Sequence, residues 1–124
     1  MREAEGADDG DGATGGRERS LVSVLVVDDE PGFADVAASL LESRDDRIEA
    51  TPVESPSAAL DALSASSYDC VVSDYEMPET DGIELLEAVR DRHGDVPFVL
   101  FTGEGSEAVA SEAVSAGVDE YLRK

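Results

Sequence analysis

Five side chains capable of metal and phosphoryl chemistry stand at or just beyond the ends of apolar runs of the sequence. Asp28 and Asp29 follow the first such run, Asp74 another, Thr102 a third and Lys124 the last. Carboxylates brought together cannot all stay ionised without a cation, and hard oxygen ligands with room for water suit Mg²⁺. One carboxylate can then attack a phosphoryl donor and form an acyl phosphate. The hydroxyl and the ammonium can stabilise charge on the phosphoryl oxygens.

Lys124 is the only lysine in the chain, and the other eight basic residues are arginines. A sequence that avoids lysine so strongly and yet has one here indicates that a compact point charge is needed, which an ammonium supplies better than a guanidinium. The alternative interpretation is an ordinary terminal lysine.

Short apolar runs divide the sequence into five predicted strands. The stretch from Cys70 to Pro78 organises the rest, because its apolar run ends at Ser73, is followed by Asp74 and then stops at a proline. The second run alternates with charged residues and predicts an edge strand, whereas the first is typical of a buried central strand. The predicted strands are residues 21–27, 47–53, 70–73, 98–101 and 118–122.

Four predicted helices separate these strands. Pro31 suits the first turn of the first helix, and Ser55 followed by Pro56 predicts a capped start for the second. Ser106 is a candidate cap for the fourth helix, which Gly117 can end. The first helix carries one apolar stripe, formed by Phe33, Val36, Ala37, Leu40 and Leu41.

Strict alternation of strands and helices with short connections predicts an α/β fold. Such an order gives a parallel sheet wound by right-handed crossovers, with all carboxyl ends of the strands along one edge. Ligands bind at that edge in open α/β sheets. The acidic, hydroxyl and ammonium groups that follow the strands are therefore expected to converge there.

The charge of the chain limits its partners. Its 124 residues suffice for one domain, and 30 acidic against 9 Lys and Arg residues give a net charge of -21. Such a surface repels nucleic acid and anionic membranes. Acid spread over the whole chain, with almost no lysine, is typical of a salt-in halophile, in which high ionic strength screens the self-repulsion.

Other segments carry little functional signal. Residues 1–20 lack periodicity and predict a disordered acidic leader. The pattern at residues 9–12 fails as a calcium loop because Ala13 stands where an oxygen ligand belongs. A single cysteine, Cys70, excludes an internal disulfide and, with no signal peptide and no apolar run of membrane length, favours the cytoplasm. His93 is interpreted as a structural residue near a helix end.

The ordered motifs identify a family resemblance that covers residues 23–124. Asp28-Asp29, Asp74-Tyr-Glu-Met-Pro78, Asp81-Gly82, Thr102-Gly103 and Tyr121-Leu-Arg-Lys124 resemble the receiver domain of two-component response regulators, the CheY-like family. The resemblance implies a doubly wound, flavodoxin-like sheet of five parallel strands in the order 2-1-3-4-5. It also implies a phosphorelay function and no turnover activity.

The resemblance assigns a role to each matching residue. Asp74 is implied to be the phospho-acceptor, and Thr102 and Lys124 are implied to contact the phosphoryl group. Thr102 and Tyr121 are implied to form the switch pair. The implied phosphoryl donor is a phosphohistidine on a sensor histidine kinase or phosphotransfer protein. The implied Mg²⁺ ligands are Asp29, Asp74 and the backbone carbonyl of Glu76, with Asp28 acting through water.

The sequence departs from the family pattern in two ways. Glu76 and Glu104 each stand two residues after a site residue, where acids repel anionic donors and can tune the lifetime of the phosphoryl group. The chain ends at Lys124, where the family continues with a fifth helix that covers one sheet face. We expect a receiver domain over residues 21–124 that is short at its C-terminus, with apolar surface exposed. The output partner and homodimer formation are left open.

Two other functions fit the residue pattern less well. An aspartyl-phosphate phosphohydrolase of the haloacid dehalogenase type needs a second Asp two residues after the nucleophile, but Glu76 occupies that place and Pro78 stands where its hydroxyl residue belongs. A pseudo-receiver that only binds partners is disfavoured because the acidic and basic set is complete.

Overall fold

A computed structural model describes residues 21–78, 80–103 and 107–123 of the chain. Strands and helices alternate throughout this part, as predicted. The strands are β1 (Val22–Val27), β2 (Ile48–Val53), β3 (Cys70–Ser73), β4 (Phe98–Thr102) and β5 (Glu120–Arg123). The helices are α1 (Phe33–Arg44), α2 (Pro56–Ala65), α3 (Gly82–His93) and α4 (Glu107–Ala116).

The five strands form one parallel sheet in the order β2-β1-β3-β4-β5. This confirms the predicted doubly wound, flavodoxin-like arrangement, and β2 lies at an edge as expected. β1 and β3 pair in register so that Val27 lies opposite Ser73. Both central strands therefore end at the same level, which brings the residues that follow them together.

The helices cover the two sheet faces unequally. The larger cluster joins Leu25, Val71 and Phe98 of the sheet to buried residues of α2, α3 and α4. The smaller cluster, on the other face, joins Val24 and Val26 to α1. In the part of the chain described here, α1 alone covers that second face.

Only part of the predicted apolar stripe of α1 packs against the sheet, where Ala37 and Leu41 contact the smaller cluster. The small residues Ala34 and Ala38 are buried against the sheet, whereas Val36 and Leu40 are more than half exposed. Leu122 of β5 is also exposed on this side. A groove of about 410 Å³ runs between α1 and β3–β5, lined by Phe33, Val36, Ala37, Leu40, Leu41, Arg44, Val72, Val99, Phe101 and Leu122.

Two predicted boundaries require correction. Pro31 is not in the first turn of α1, because Gly32, whose φ of 81° is left-handed, precedes the helix as its N-cap. The fifth strand does not begin at Val118, because the N–H of Val118 donates to the carbonyl of Ala113 and completes the end of α4. Gly117, with a φ of 93°, ends that helix as predicted.

One network of hydrogen bonds joins α3 to the start of β4 and to the residues that precede β5. Arg90 of α3 donates to the carbonyls of Val96 and Gly117 and to the carboxylate of Asp119, which in turn accepts the N–H of Phe98 at 2.7 Å.

The outward backbone positions of the edge strand β2 are also engaged. The N–H of Ile48 donates to the carbonyl of Asp45 at 3.0 Å, and that of Ala50 donates to the Glu42 carboxylate at 2.9 Å. Pro52, the next position with the same orientation, has no N–H. Among the described helices, none is long and apolar enough to cross a membrane.

Candidate metal and phosphoryl-transfer site

The candidate site forms where β1 and β3 end side by side. The N–H of Asp74 donates to the carbonyl of Val27 at 2.9 Å, so the first residue after β3 is tied to the last residue of β1. Asp28 and Asp29 continue directly from Val27. The parallel pairing thus brings three carboxylates from distant parts of the sequence to one edge.

These three carboxylates form a compact cluster. One oxygen from each of Asp28, Asp29 and Asp74 lies within 4.8 Å of the others. Asp28 is 2% exposed and Asp74 is 9% exposed, so two of the three are largely removed from water. In the described residues this is the one group of three or more His, Cys, Asp and Glu side chains close enough to share a metal ion.

Local hydrogen bonds orient two of the carboxylates. Oδ1 of Asp28 accepts the N–H of Glu30 at 2.9 Å, and Oδ1 of Asp74 accepts the N–H of Tyr75 at 2.9 Å. Each side chain is therefore fixed by the backbone that follows it. This fixes the two groups before any ligand arrives.

Ser73 and Gly82 secure the backbone at Asp74, and neither residue was predicted to have this role. The buried hydroxyl of Ser73 donates to the Asp74 carbonyl at 2.9 Å. The N–H of Gly82 donates to the Tyr75 carbonyl at 2.8 Å. A hydroxyl at the end of an apolar strand, and a glycine at a helix start, are the signals that could have identified them.

The start of α3 is fixed by a capping box. Asp81 accepts the N–H of Glu84 at 2.8 Å, and Glu84 accepts the N–H of Asp81 at 3.0 Å. Because Gly82 is the first residue of this helix, the cap holds α3 against the Asp74–Tyr75 backbone.

The remaining predicted site residues are placed to different extents. Thr102 is the last residue of β4, at the same edge as Asp74, but its side chain lies outside the described residues, as do Glu104, Ser106 and Lys124. Glu76 lies in the loop after Asp74 with an exposed side chain. The metal-ligand role of its carbonyl stays a prediction.

Tyr121 lies in β5 opposite Leu100 of β4. Its ring packs against the larger core cluster, and its hydroxyl is buried with no hydrogen-bond partner in the described part of the chain. A buried hydroxyl without a partner carries a desolvation cost. The predicted switch role for Tyr121 remains a prediction.

Tyr75, next to Asp74, lies in an acidic environment. Partial burial raises the pKa of its hydroxyl, and the carboxylates of Asp81, Glu112, Glu76 and Glu84 raise it further. The approach to the candidate site is therefore bordered by negative charge, as Glu76 and Glu104 had indicated in the sequence; Glu104 lies outside the described residues.

Cys70 and His93 stand apart from the site. Burial raises the pKa of the Cys70 thiol, and Asp119 and Asp69 raise it further, as befits an unreactive core thiol. His93 is the last residue of α3, and its Nε2 is buried without a partner among the described residues. It borders a cleft of about 150 Å³ with Ser66, Ser67 and Tyr68.

Fold and site together define a doubly wound α/β domain with an acidic cluster at the carboxyl edge of its sheet. The pattern of the response regulator receiver domain matches residues 24–124. The chain therefore belongs to the response regulator receiver domain family, whose function is phosphorylation-dependent two-component signalling.

Two curated relatives illustrate the similarity. The transcriptional regulatory protein FixJ of Bradyrhizobium diazoefficiens is 37% identical over 101 residues, which cover 82% of this chain and 48% of FixJ. The photosynthetic apparatus regulatory protein RegA of Rhodobacter capsulatus is 34% identical over 109 residues, which cover 88% of this chain and 56% of RegA. The chain thus spans about half the length of these relatives.

The chain is also similar to a solved structure that contains a bound complex. The response regulator protein TrrA from Thermotoga maritima, in complex with Mg(2+)-BeF, is 30% identical with a TM-score of 0.73. The match covers 84% of this chain and 87% of TrrA.

Proposed function

We propose that this chain is a phospho-accepting receiver in which Asp74 takes a phosphoryl group from a phosphohistidine of a sensor histidine kinase or phosphotransfer protein. The observation that carries the proposal is the cluster of Asp28, Asp29 and Asp74 at the ends of two paired central strands. The family assignment supports the same reading.

The donor set fits a hard divalent cation. Carboxylates whose oxygens lie within 4.8 Å of one another repel, and a cation shared between them removes that cost. Asp28, Asp29 and Asp74, with the carbonyl of Glu76, would hold Mg²⁺, and when bound this ion supplies charge neutralisation at the phosphoryl oxygens. The Mg(2+)-BeF complex of TrrA supports this choice of ion.

The family resemblance makes Asp74 the nucleophile, and the bonds of its N–H, carbonyl and Oδ1 hold it at the end of β3. A carboxylate oxygen of Asp74 forms a bond to phosphorus while the bond from phosphorus to the donor's imidazole nitrogen breaks. The nitrogen keeps the bonding electron pair and is neutralised by a proton. Thr102 and Lys124 stabilise the charge on the transferred group.

The output step is assigned to Thr102 and Tyr121. The buried Tyr121 hydroxyl has no hydrogen-bond partner among the described residues, and this cost favours a change of side-chain position when the phosphoryl group engages Thr102. The chain gains and loses its own phosphoryl group and has no other turnover reaction. We place it in the cytoplasm of a salt-in halophile, away from nucleic acid and membrane, and its output partner and dimer formation are matters for experiment.

The test is phosphorylation of the full chain by acetyl phosphate in molar salt with Mg²⁺, followed by intact mass. The expected result is the gain of one phosphoryl group, which is lost in Asp74→Asn and when a chelator replaces Mg²⁺. Asp61→Asn on the exposed face of α2 is the matched control and should be phosphorylated like the wild-type protein. Unmodified wild-type protein, or an Asp74→Asn variant that still gains the group, contradicts the proposal.

A further inference from the structure

The loop between β1 and α1 supplies two of the three clustered carboxylates, so whatever fixes this loop also fixes the cluster. Its first anchor is the N–H of Asp28, which donates to the carbonyl of Val53 at 3.2 Å. Its second is the Asp28 side chain, which accepts the N–H of Glu30. The loop is thus tied at its start to the end of β2.

The far end of this loop has no side-chain cap of its own, although the N–H of Phe33 donates to the carbonyl of Glu30 at 3.0 Å. Gly32 is the N-cap of α1, and no side chain of the cap residue accepts a helix N–H. The N–H of Gly32 instead donates to Oε2 of Glu54 at 3.4 Å, which is longer than the usual range of about 2.7–3.2 Å for such bonds. The carboxylate that accepts this N–H therefore comes from a different part of the fold, 22 residues further along the chain.

Glu54 is held on both sides by rigid structure. Val53, before it, ends β2 and accepts the Asp28 N–H. Ser55, after it, caps α2 by accepting the N–H of Ala58 at 3.0 Å, and Pro56 stands at the first helical position. A single residue between a paired strand and a capped helix has little backbone freedom, so the exposed side chain of Glu54 starts from a fixed point within reach of Gly32.

We infer that Glu54 is a positioning residue for the divalent-cation site, acting by holding the loop that carries Asp28 and Asp29. Glu54 itself does not belong to the carboxylate cluster. Its carboxylate also suits the positive end of the α1 dipole. The inference rests on the proposed function, because it assigns a residue that sets the affinity of the same cation site.

Mg²⁺ titration of the full chain by calorimetry in molar salt tests the inference. Glu54→Asp keeps the charge but shortens the side chain, so it should lose the Gly32 bond and weaken Mg²⁺ binding by about tenfold, as residues that orient metal ligands do. Glu54→Gln keeps an oxygen acceptor at the same reach and should stay close to its control. That control is Glu49→Gln, which removes a charge from an exposed position of β2, the strand that precedes Glu54.

The alternative is a purely electrostatic effect, and the same variants separate it. If Glu54→Asp binds Mg²⁺ like the wild-type protein, or if Glu54→Gln loses as much affinity as Glu54→Asp, the positioning role is overturned. Glu54→Asp is expected to fold because it retains the charge, and an unfolding curve at the same salt checks this.

A spectroscopic readout isolates the contact itself. In metal-free protein, the Gly32 amide should shift and exchange faster in Glu54→Asp than in Glu49→Gln, and an unchanged Gly32 signal overturns the inference. At saturating Mg²⁺ the variant should reach the wild-type extent of phosphorylation. Absence of Mg²⁺ binding or phosphorylation in the wild-type protein would instead remove the proposed function, so the two failures are distinct.

Discussion

Gly82 approaches Asp74 so closely that no side chain fits between them. A Cβ at Gly82 would lie 2.4 Å from the Asp74 carbonyl oxygen and 2.6 Å from Cδ1 of Leu100. The backbone that carries the proposed phospho-acceptor is thus packed directly against the first residue of α3. The glycine is required here for space, since its φ lies outside the left-handed region.

Gly82→Ala is expected to destabilise the protein by about 1–3 kcal/mol, because overpacking at a buried backbone contact forces a shift. The shift moves Asp74, so phosphorylation by acetyl phosphate should slow even in protein that is fully folded. Urea unfolding in molar salt measures the first effect and intact mass against time the second. Gly103→Ala is the control, since a Cβ there meets nothing within 4 Å. Equal unfolding free energies for the two variants would contradict the packing argument.

Asp29→Asn should have opposite effects with and without a divalent cation. In chelator the variant is expected to be more stable than the wild-type protein, because one of three clustered negative charges is gone. With Mg²⁺ at a hundred times its dissociation constant, the wild-type protein gains about 2.7 kcal/mol and the variant much less. Thermal unfolding in both conditions measures the difference. Asp61→Asn should follow the wild-type protein, and an Asp29→Asn variant with the full Mg²⁺ shift would exclude Asp29 as a ligand.

The Arg90–Asp119 contact predicts an acid-sensitive part of the stability. The N–H of Phe98 lowers the pKa of Asp119, and Arg90 lowers it further. A carboxyl with a lowered folded pKa stabilises the fold above its unfolded value of about 3.9, and this contribution is lost as the pH falls through the folded value. Asp119→Asn should therefore be less stable than the wild-type protein at pH 7, and the two should converge below about pH 4.

Urea midpoints across this pH range measure the convergence. Asp95→Asn, at an exposed position in the neighbouring loop, supplies the background. A difference between the wild-type protein and Asp119→Asn that stays constant down to low pH would rule out the charged form of Asp119 as its source.

The net charge of -21 predicts that folding requires salt. The Debye length is about 3 Å at molar ionic strength but about 30 Å at 0.01 M, so the surface acids repel one another strongly in dilute buffer. Far-ultraviolet circular dichroism should show lost helix signal on dilution into millimolar salt. Charge reversal to Arg at three exposed acids, Glu49, Asp61 and Asp91, should lower the salt requirement. A spectrum that is the same from molar to millimolar salt would disprove this.

Much of the fold followed from the spacing of apolar residues, and the exceptions have physical causes. Cys70–Ser73 is found as predicted because the run is short and bounded by polar residues. The predicted stripe of α1 was inaccurate because helical spacing does not say which side of the helix faces the sheet. The small side chains of Ala34 and Ala38 allow the helix to approach the sheet more closely. The start of β5 was misplaced because Val118 looks like a strand residue but completes the end of α4.

The sequence predicted the acidic residues of the candidate site but not the backbone contacts that hold them in place. Asp28, Asp29 and Asp74 could be placed together because parallel strands end at one edge. The contacts of Ser73 and Gly82 depend on how closely two backbones approach, which sequence spacing does not encode.

The engaged edge of β2 has a consequence for chains at high concentration. An exposed strand normally offers a row of N–H groups on which another strand can grow, and this is how cross-β aggregates begin. Here the N–H groups of Ile48 and Ala50 already donate to the Asp45 carbonyl and the Glu42 carboxylate, and Pro52 has no N–H. The N–H groups of the β2 edge are therefore not available to another strand while these contacts hold, which disfavours growth of aggregates at this edge in a crowded solution of the folded chain.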